Sequence, residues 1–311
     1  MEHVSKKIIL DCDPGIDDAL AIVYAAGCAD LDLLGITTVV GNVSLAKTTS
    51  NALRVCEFIG AAVPVTPGCA VPLLRPPITA EHVHGSDGLG GAMLPAASSR
   101  PRPGHASDFI IDAVLAAPGE ITLVAIGPLT NVALALRREP RIAREVQDFV
   151  IMGGSATRGN VTPAAEFNIA CDPEAASIVF SAGWTVTMVG LDATLQALAD
   201  EQVVGQLGAL GRLADVLLVP CLGGYGDSGR GAPAVHDLCA VAYVANSGLL
   251  GCQPARVEVE TAGRWTSGMT VTDFRASPPE CNALVATTVD VPAFWDSVLA
   301  AYRPVAASLS G

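Results

Sequence analysis

Lysine is nearly absent from this chain: after Lys6 and Lys7 only Lys47 remains. No basic stretch occurs, and the formal net charge is -13. Nucleic acids and anionic membranes both require a positive surface, so neither is expected as a partner. The nine cysteines include no C-x-x-C pair. Scattered and odd in number, they exclude a zinc ribbon and a disulfide framework, and reduced thiols are expected. The N-terminus runs from Met1 through Lys7 straight into an apolar strand, without a signal region. No run reaches the roughly 18 uncharged residues that a membrane span needs. The expectation is a soluble, cytoplasmic protein. Internal repeats and clear linkers are missing too.

What is present is apolar and punctuated. Half of the 311 residues are hydrophobic, with 31 glycines and 21 prolines, which suits a compact, loop-rich enzyme. The length is above the usual domain size but common for α/β folds, so residues 1–311 read as one domain. Strand-like runs alternate with helical patterns. Strands are expected at Ile8–Asp11, Leu33–Val40, Val63–Val65, Ile121–Ile126, Phe149–Met152 and Trp184–Val189. Helices are expected at Asp17–Cys28, Leu45–Ile59, Asn131–Arg137 and Pro292–Ala301. Near the C-terminus, Arg256–Glu260, Met269–Phe274 and Ala283–Val289 read as a hairpin-based extension. Continuous apolar strands separated by helices imply an α/β fold: a mostly parallel, mixed sheet, Rossmann-like, with helices on both faces. Two Gly- and Pro-rich stretches, Leu73–Arg102 and Gly223–Gly231, read as lid or binding loops.

The most informative stretch is Asp11-Cys12-Asp13-Pro14-Gly15-Ile16-Asp17-Asp18, with four carboxylates in eight residues. It follows the first strand, turns at Pro14-Gly15 and opens a helix. Like charges this close repel, so either solvent screens them or a cation neutralises them, and the cation is favoured. In an open parallel sheet, ligands bind beyond the C-terminal ends of the strands. The polar residues expected there are Asp11 and Asp13, Asn42, the Ile126-Gly127 corner and Met152-Gly153. Glu166-Phe167-Asn168 and His236-Asp237 join them. Each has a plainer reading. Asp237 suits a helix N-cap, Asp17 and Asp18 suit a helix dipole, and Asn42 suits a turn. Glu166 suits the surface, and His236 a satisfied, half-buried position. His82 and His84 hint at a metal, but their Gly-rich neighbourhood favours a substrate or surface role.

Taken in order, the motifs carry a resemblance. The stretch Asp11–Ala19 is followed by Gly41-Asn42, His84-Gly85, Gly127-Pro128-Leu129-Thr130-Asn131 and Met152-Gly153-Gly154. Then come Glu166-Phe167-Asn168, Asp172-Pro173-Glu174-Ala175, His236-Asp237 and Gly268-Met269-Thr270-Val271-Thr272-Asp273. This set, over residues 8 to about 275, closely resembles the inosine-uridine-preferring nucleoside hydrolases. The resemblance implies calcium-dependent hydrolysis of the N-glycosidic bond of inosine-, uridine- or cytidine-type ribonucleosides to base and ribose. It implies side-chain ligation of calcium by Asp13, Asp18 and Asp237, and carbonyl ligation by Ile126. Asp13 would also be general base on a metal-bound water, and His236 the acid for the leaving base. Asp17, Asn42, Met152, Asn160, Glu166 and Asn168 would hold the ribose. His84, Tyr225 and Phe167 would face the base, and Asp11 would orient its neighbours from behind. A homo-oligomer, tetramer or dimer, is implied as well.

Three rivals are weighed. Asp11-Cys12-Asp13 has the D-x-D spacing of haloacid-dehalogenase-like phosphatases, but the scarcity of lysine disfavours that chemistry. A non-enzymatic nucleoside binder has no use for a water-activating Asp13 or for His236. A nucleoside phosphorylase needs a phosphate cradle, and the segment Gly153–Gly159 lacks a P-loop ending.

Overall fold

The computed structural model describes residues 5–225 and 231–310. Among them, nine strands form one sheet in the order β3-β2-β1-β4-β5-β6-β9-β7-β8. The strands are β1 (Lys6–Cys12), β2 (Leu31–Thr38), β3 (Val65–Pro67), β4 (Ile121–Ala125) and β5 (Asp148–Met152). They continue with β6 (Val186–Val189), β7 (Leu250–Val259), β8 (Thr270–Asp273) and β9 (Ala283–Val289). Six of the pairings are parallel; β7 pairs antiparallel with both β9 and β8, giving the mixed edge that the C-terminal pattern implies.

Alternation along each strand feeds two cores. Ile8, Leu10, Val124, Val150 and Met152 face one side of the sheet, while Ile9, Leu123, Ala125, Phe149 and Ile151 face the other. A sheet buried on both faces needs unbroken apolar strands, which is why these segments read so clearly from sequence. Helix α1 (Ile16–Gly27) is buried from Ile16 to Ala25, as expected of a helix apolar all round. The C-terminal helix Val291–Ser308 holds it in place: Tyr302 Oη donates to Leu20 O at 2.9 Å, and Tyr24 Oη meets Ser297 Oγ at 2.7 Å.

The chain goes from β1 outward through β2 to β3, then returns to place β4 on the other side of β1. This reversal makes a crevice at the C-terminal ends of β1 and β4, where the acidic turn and the Ile126-Gly127 corner lie.

Several boundaries differ from the sequence expectation. Strand β3 runs from Val65 to Pro67, so Val63 and Pro64 fall outside it, although Pro64 O accepts from Ile36 N at 2.9 Å. The last helix runs past Ala301 and through Pro304 to Ser308. Within the stretch read as a long loop, Glu81–His84 forms a helical turn. Tyr225, read as a loop residue, ends the helix Val219–Tyr225, which buried Cys221 and Leu222 dock into the core despite two glycines. The remainder of that Gly-rich segment, residues 226–230, lies outside the described residues. The helix Pro173–Phe180 opens on an Asp172 side chain that accepts from Ala175 N. No helix among the described residues is long and apolar enough to cross a membrane.

Candidate active site

The acidic turn folds as a set of internal hydrogen bonds. Asp18, in the first turn of α1, accepts from Asp13 N at 3.0 Å through Oδ1. Its Oδ2 accepts from Gly15 N at 2.9 Å and from Asn42 Nδ2 at 3.0 Å. Asp13 accepts from Asn42 N through Oδ2 at 2.6 Å, while its Oδ1 is buried with no hydrogen-bond partner. Glycines on both sides make room for this carboxylate. A Cβ at Gly41 would collide with Oδ2, and one at Gly127 would stand 2.5 Å from Oδ1. Asp13 is thus held by a backbone amide after β2 and closely flanked by the glycine that follows β4.

Asp237 reaches the same spot from far along the chain. It is the first residue of the helix Asp237–Ala245 rather than its N-cap, and its carboxyl group comes close to those of Asp17 and Asp18. Asp17, Asp18 and Asp237 are all buried, and each offers an oxygen within 4.8 Å of the others. Burial, then the charge of Asp18, pushes the Asp13 carboxyl well above the usual carboxylate range. Burial, then the charge of Asp17, does the same to Asp237, and raises Asp18 to about 7. Such a group is held apart from full ionisation unless a positive charge joins it. The donors are all oxygen, and among them Asp13 Oδ1 is unpartnered. That chemistry fits a hard divalent cation.

Above this floor opens a cavity of about 460 Å³, lined by Asp17, Asn42, His84, Ile126, Met152, Asn160, Glu166, Phe167, Asn168, Tyr225, His236 and Asp237. Asp13 and Asp18 lie beneath it, in hydrogen-bond contact with Asn42. Asp11 stands apart: its carboxylate accepts from Thr37 Oγ1 at 2.5 Å and from Asn131 Nδ2 at 2.7 Å. Burial raises it to about 7 despite those bonds. Glu166, considered above as a surface carboxylate, is buried. It caps the short helix Phe167–Cys171 and accepts from Gly154 N, Asn168 N and Ile169 N. Asn168 Nδ2 donates to the carbonyls of Ile126 at 2.9 Å and of Met152 at 3.1 Å. A carbonyl has two lone pairs, so Ile126 O keeps one for a ligand.

The upper rim is aromatic. The Tyr225 ring lies edge-on to His84 and to His236, with centroids 5.5 and 6.3 Å apart, and its hydroxyl donates to Asp17 Oδ2 at 3.3 Å. His84 Nδ1 accepts from Ile16 N at 3.1 Å, so the neutral ring carries its proton on Nε2. Desolvation lowers the pKa of both histidines below the ordinary value, opposed by the charge of Asp17. The His236 Nδ1 is paired with Thr194 Oγ1 at 2.8 Å. Sequence reasoning missed the apolar lining of Ile78, Val83, Val161, Leu191 and Leu195, whereas His82, given a substrate or surface role, is exposed on the lip. Only Leu191 carried a signal, as the second residue beyond β6.

A polar floor beneath a partly apolar chamber, at the switch point of a parallel sheet, is the setting of a small-molecule site. Comparison with known proteins sharpens that class. Residues 8–296 match the model of the inosine-uridine preferring nucleoside hydrolase family, and the chain belongs to that family. It is 47% identical over 309 residues to the inosine-uridine preferring nucleoside hydrolase of Crithidia fasciculata, covering 96% of this chain and 98% of that one. It is 46% identical over 304 residues to the non-specific ribonucleoside hydrolase RihC of Salmonella enteritidis, covering 96% and 99%. The solved purine-preferring ribonucleoside hydrolase of Gardnerella vaginalis superposes with a TM-score of 0.91 at 34% identity, over 97% of this chain and 99% of that one. The chain is accordingly an N-glycosidase of the nucleoside hydrolase class, and the phosphatase and phosphorylase readings fall away.

Proposed function

We propose that residues 1–311 act as one calcium-dependent ribonucleoside hydrolase, releasing free base and ribose from inosine-, uridine- and cytidine-type nucleosides. The observation that carries this reading is the unpartnered Oδ1 of Asp13, buried beside three converging carboxylates under a chamber with a histidine at its rim. Asp13, Asp18, Asp237 and the carbonyl of Ile126 would hold the cation, with Asp17 close enough to share it. When bound, calcium supplies positive charge that favours ionisation of a nearby water and gathers the ribose hydroxyls.

This chain's own groups supply the rest. Asn42 fixes one oxygen of Asp13, which leaves the other to take the proton of the attacking water. Asp17, Asn42, Asn160, Glu166 and Asn168 present hydrogen-bonding groups to the sugar, with Met152 against it. Their negative and dipolar character favours the oxocarbenium-like charge that grows there. Thr194 occupies Nδ1 of His236, which leaves Nε2 to protonate the departing base. His84, Tyr225 and Phe167 frame the base. Asp11 acts from behind through Thr37 and Asn131. The reading extends to a cytoplasmic homo-oligomer, tetramer or dimer, which light scattering on the purified protein would test.

The test of function is base release from inosine, uridine, cytidine, adenosine and 2′-deoxyinosine, with and without prolonged chelation. Ribonucleosides should be cleaved, 2′-deoxyinosine only poorly, and activity should fall on chelation and return with added calcium. Equal rates on inosine and 2′-deoxyinosine would overturn the role given to the 2′-hydroxyl.

A further inference from the structure

The segment between β5 and the helix Phe167–Cys171 brings Asn160 and Val161 to the cavity wall. A connection of this length is ordinarily among the less stable parts of a fold. Here its first residues are fastened from two distant parts of the chain. Thr270, at the start of β8 and buried, uses one hydroxyl twice: it donates to Ser155 O at 2.7 Å and accepts from Ser155 N at 2.9 Å. Asp192, on the helical turn Leu191–Thr194, accepts three hydrogen bonds. Ser155 Oγ and Ala156 N reach its Oδ2 at 2.9 and 2.6 Å, and Thr157 Oγ1 reaches its Oδ1 at 2.5 Å. Ser155 Oγ in turn accepts from Thr157 N at 3.2 Å and Arg158 N at 3.1 Å.

The fastening continues to the wall. Asn160 Oδ1 accepts from Phe167 N at 3.0 Å, so the side chain that faces the cavity is locked to the next helix. Asp192 is itself braced, because Gln196 Nε2 donates to its carbonyl at 2.7 Å and to Thr287 O at 2.9 Å. Neither Asp192 nor Thr270 lines the cavity. Their hydrogen bonds go to the loop, and a charged acceptor strengthens the three made by Asp192.

We propose that Asp192 and Thr270 are positioning residues for sugar recognition, acting through Asn160 by ordering this loop before substrate arrives. The benefit is that binding need not supply the ordering entropy of the segment. The inference rests on the ribose-binding role of Asn160 proposed above. It also accounts for the late Gly268–Asp273 motif, which otherwise has no part in the chemistry.

The experiment is a pair of double-mutant cycles read as kcat/KM on inosine, with thermal unfolding of every variant. Asp192→Ala and the near-isosteric Thr270→Val should each lower kcat/KM about tenfold, mainly through KM, from the loss of two or three hydrogen bonds. Thr270→Ser, which keeps the hydroxyl, should restore activity. In an Asn160→Ala background the same substitutions should change kcat/KM by less than about twofold. Equal factors in both backgrounds would overturn the inference, showing a general structural effect. An Asn160→Ala variant as active as the parent would instead remove the ribose role of Asn160, and the inference with it.

Discussion

The floor of the cavity and its rim are built by opposite means. The floor is assembled from strand ends. Asp13 follows β1, Asn42 follows β2 and Ile126 follows β4, while Asp18 and Asp237 open helices that pack on the sheet. Its groups are buried, bonded to backbone amides and confined by Gly41 and Gly127. The rim is assembled from the ends of short helices: His84 from Glu81–His84, Tyr225 from Val219–Tyr225, and Leu191 and Leu195 beyond β6. Its contacts are ring edges and single side-chain hydrogen bonds. Under the function proposed above, this difference assigns the floor to the bond-breaking step common to all nucleosides, and the rim around His84 and Tyr225 to contact with the base.

The strongest way to break this comparison is to alter the floor. Asp13→Asn keeps the shape and the acceptor for Asn42 N but removes the base. It should lower kcat by about a thousandfold, within the range ascribed to general bases, and by the same factor for inosine, uridine and cytidine. A factor that differs tenfold between purine and pyrimidine substrates would show that floor and rim are not separate. At the rim, Tyr225→Phe removes only the hydrogen bond to Asp17 and keeps the ring against both histidines. The expected change in kcat/KM is about threefold to tenfold, the value of one ordinary hydrogen bond, since this contact is long at 3.3 Å. That change should differ among bases, and parallel measurements on inosine and cytidine would show it.

The same division explains what could be read in advance. Strands β1, β4 and β5 were legible because burial on both faces demands apolar runs, and β2 and β9 because of their β-branched residues. The floor was legible because its carboxylates crowd into residues 11–18, where repulsion demands an explanation, and because the His236-Asp237 pair opens an apolar helix. Tyr225 was read as a loop residue since Gly223 and Gly224 carry poor helix propensity. Packing of Cys221 and Leu222 overrides it, and no local pattern reports that. The contacts of Asp192 and Thr270 could not be read for another reason: their partners lie 35 to 37 and 115 positions away in the chain. His82 and His84 look alike in sequence, yet only His84 is buried, where its Nδ1 accepts from the buried amide of Ile16.

The smallest expected effect concerns Glu166, which belongs to the wall between floor and rim. Burial raises its carboxyl from 4.5 to about 7, against the pull of backbone amides from Asn168, Gly154 and Ile169. A raised folded-state pKa means the folded protein binds a proton that the unfolded chain has released. The stability tied to that proton is complete below pH 4.5 and is lost as the pH rises through about 7. Glu166→Gln cannot titrate, so its stability should fall less steeply across this window. The difference should be at most about 1.4 kcal/mol per pH unit, the slope set by one proton. Denaturant unfolding of parent and variant at half-unit intervals of pH, in chelator, measures this as a difference of slopes. The amide also loses acceptor capacity toward Gly154 N and Ile169 N, which lowers stability equally at every pH and leaves the slope untouched. Parallel slopes would mean that the backbone amides keep Glu166 ionised throughout.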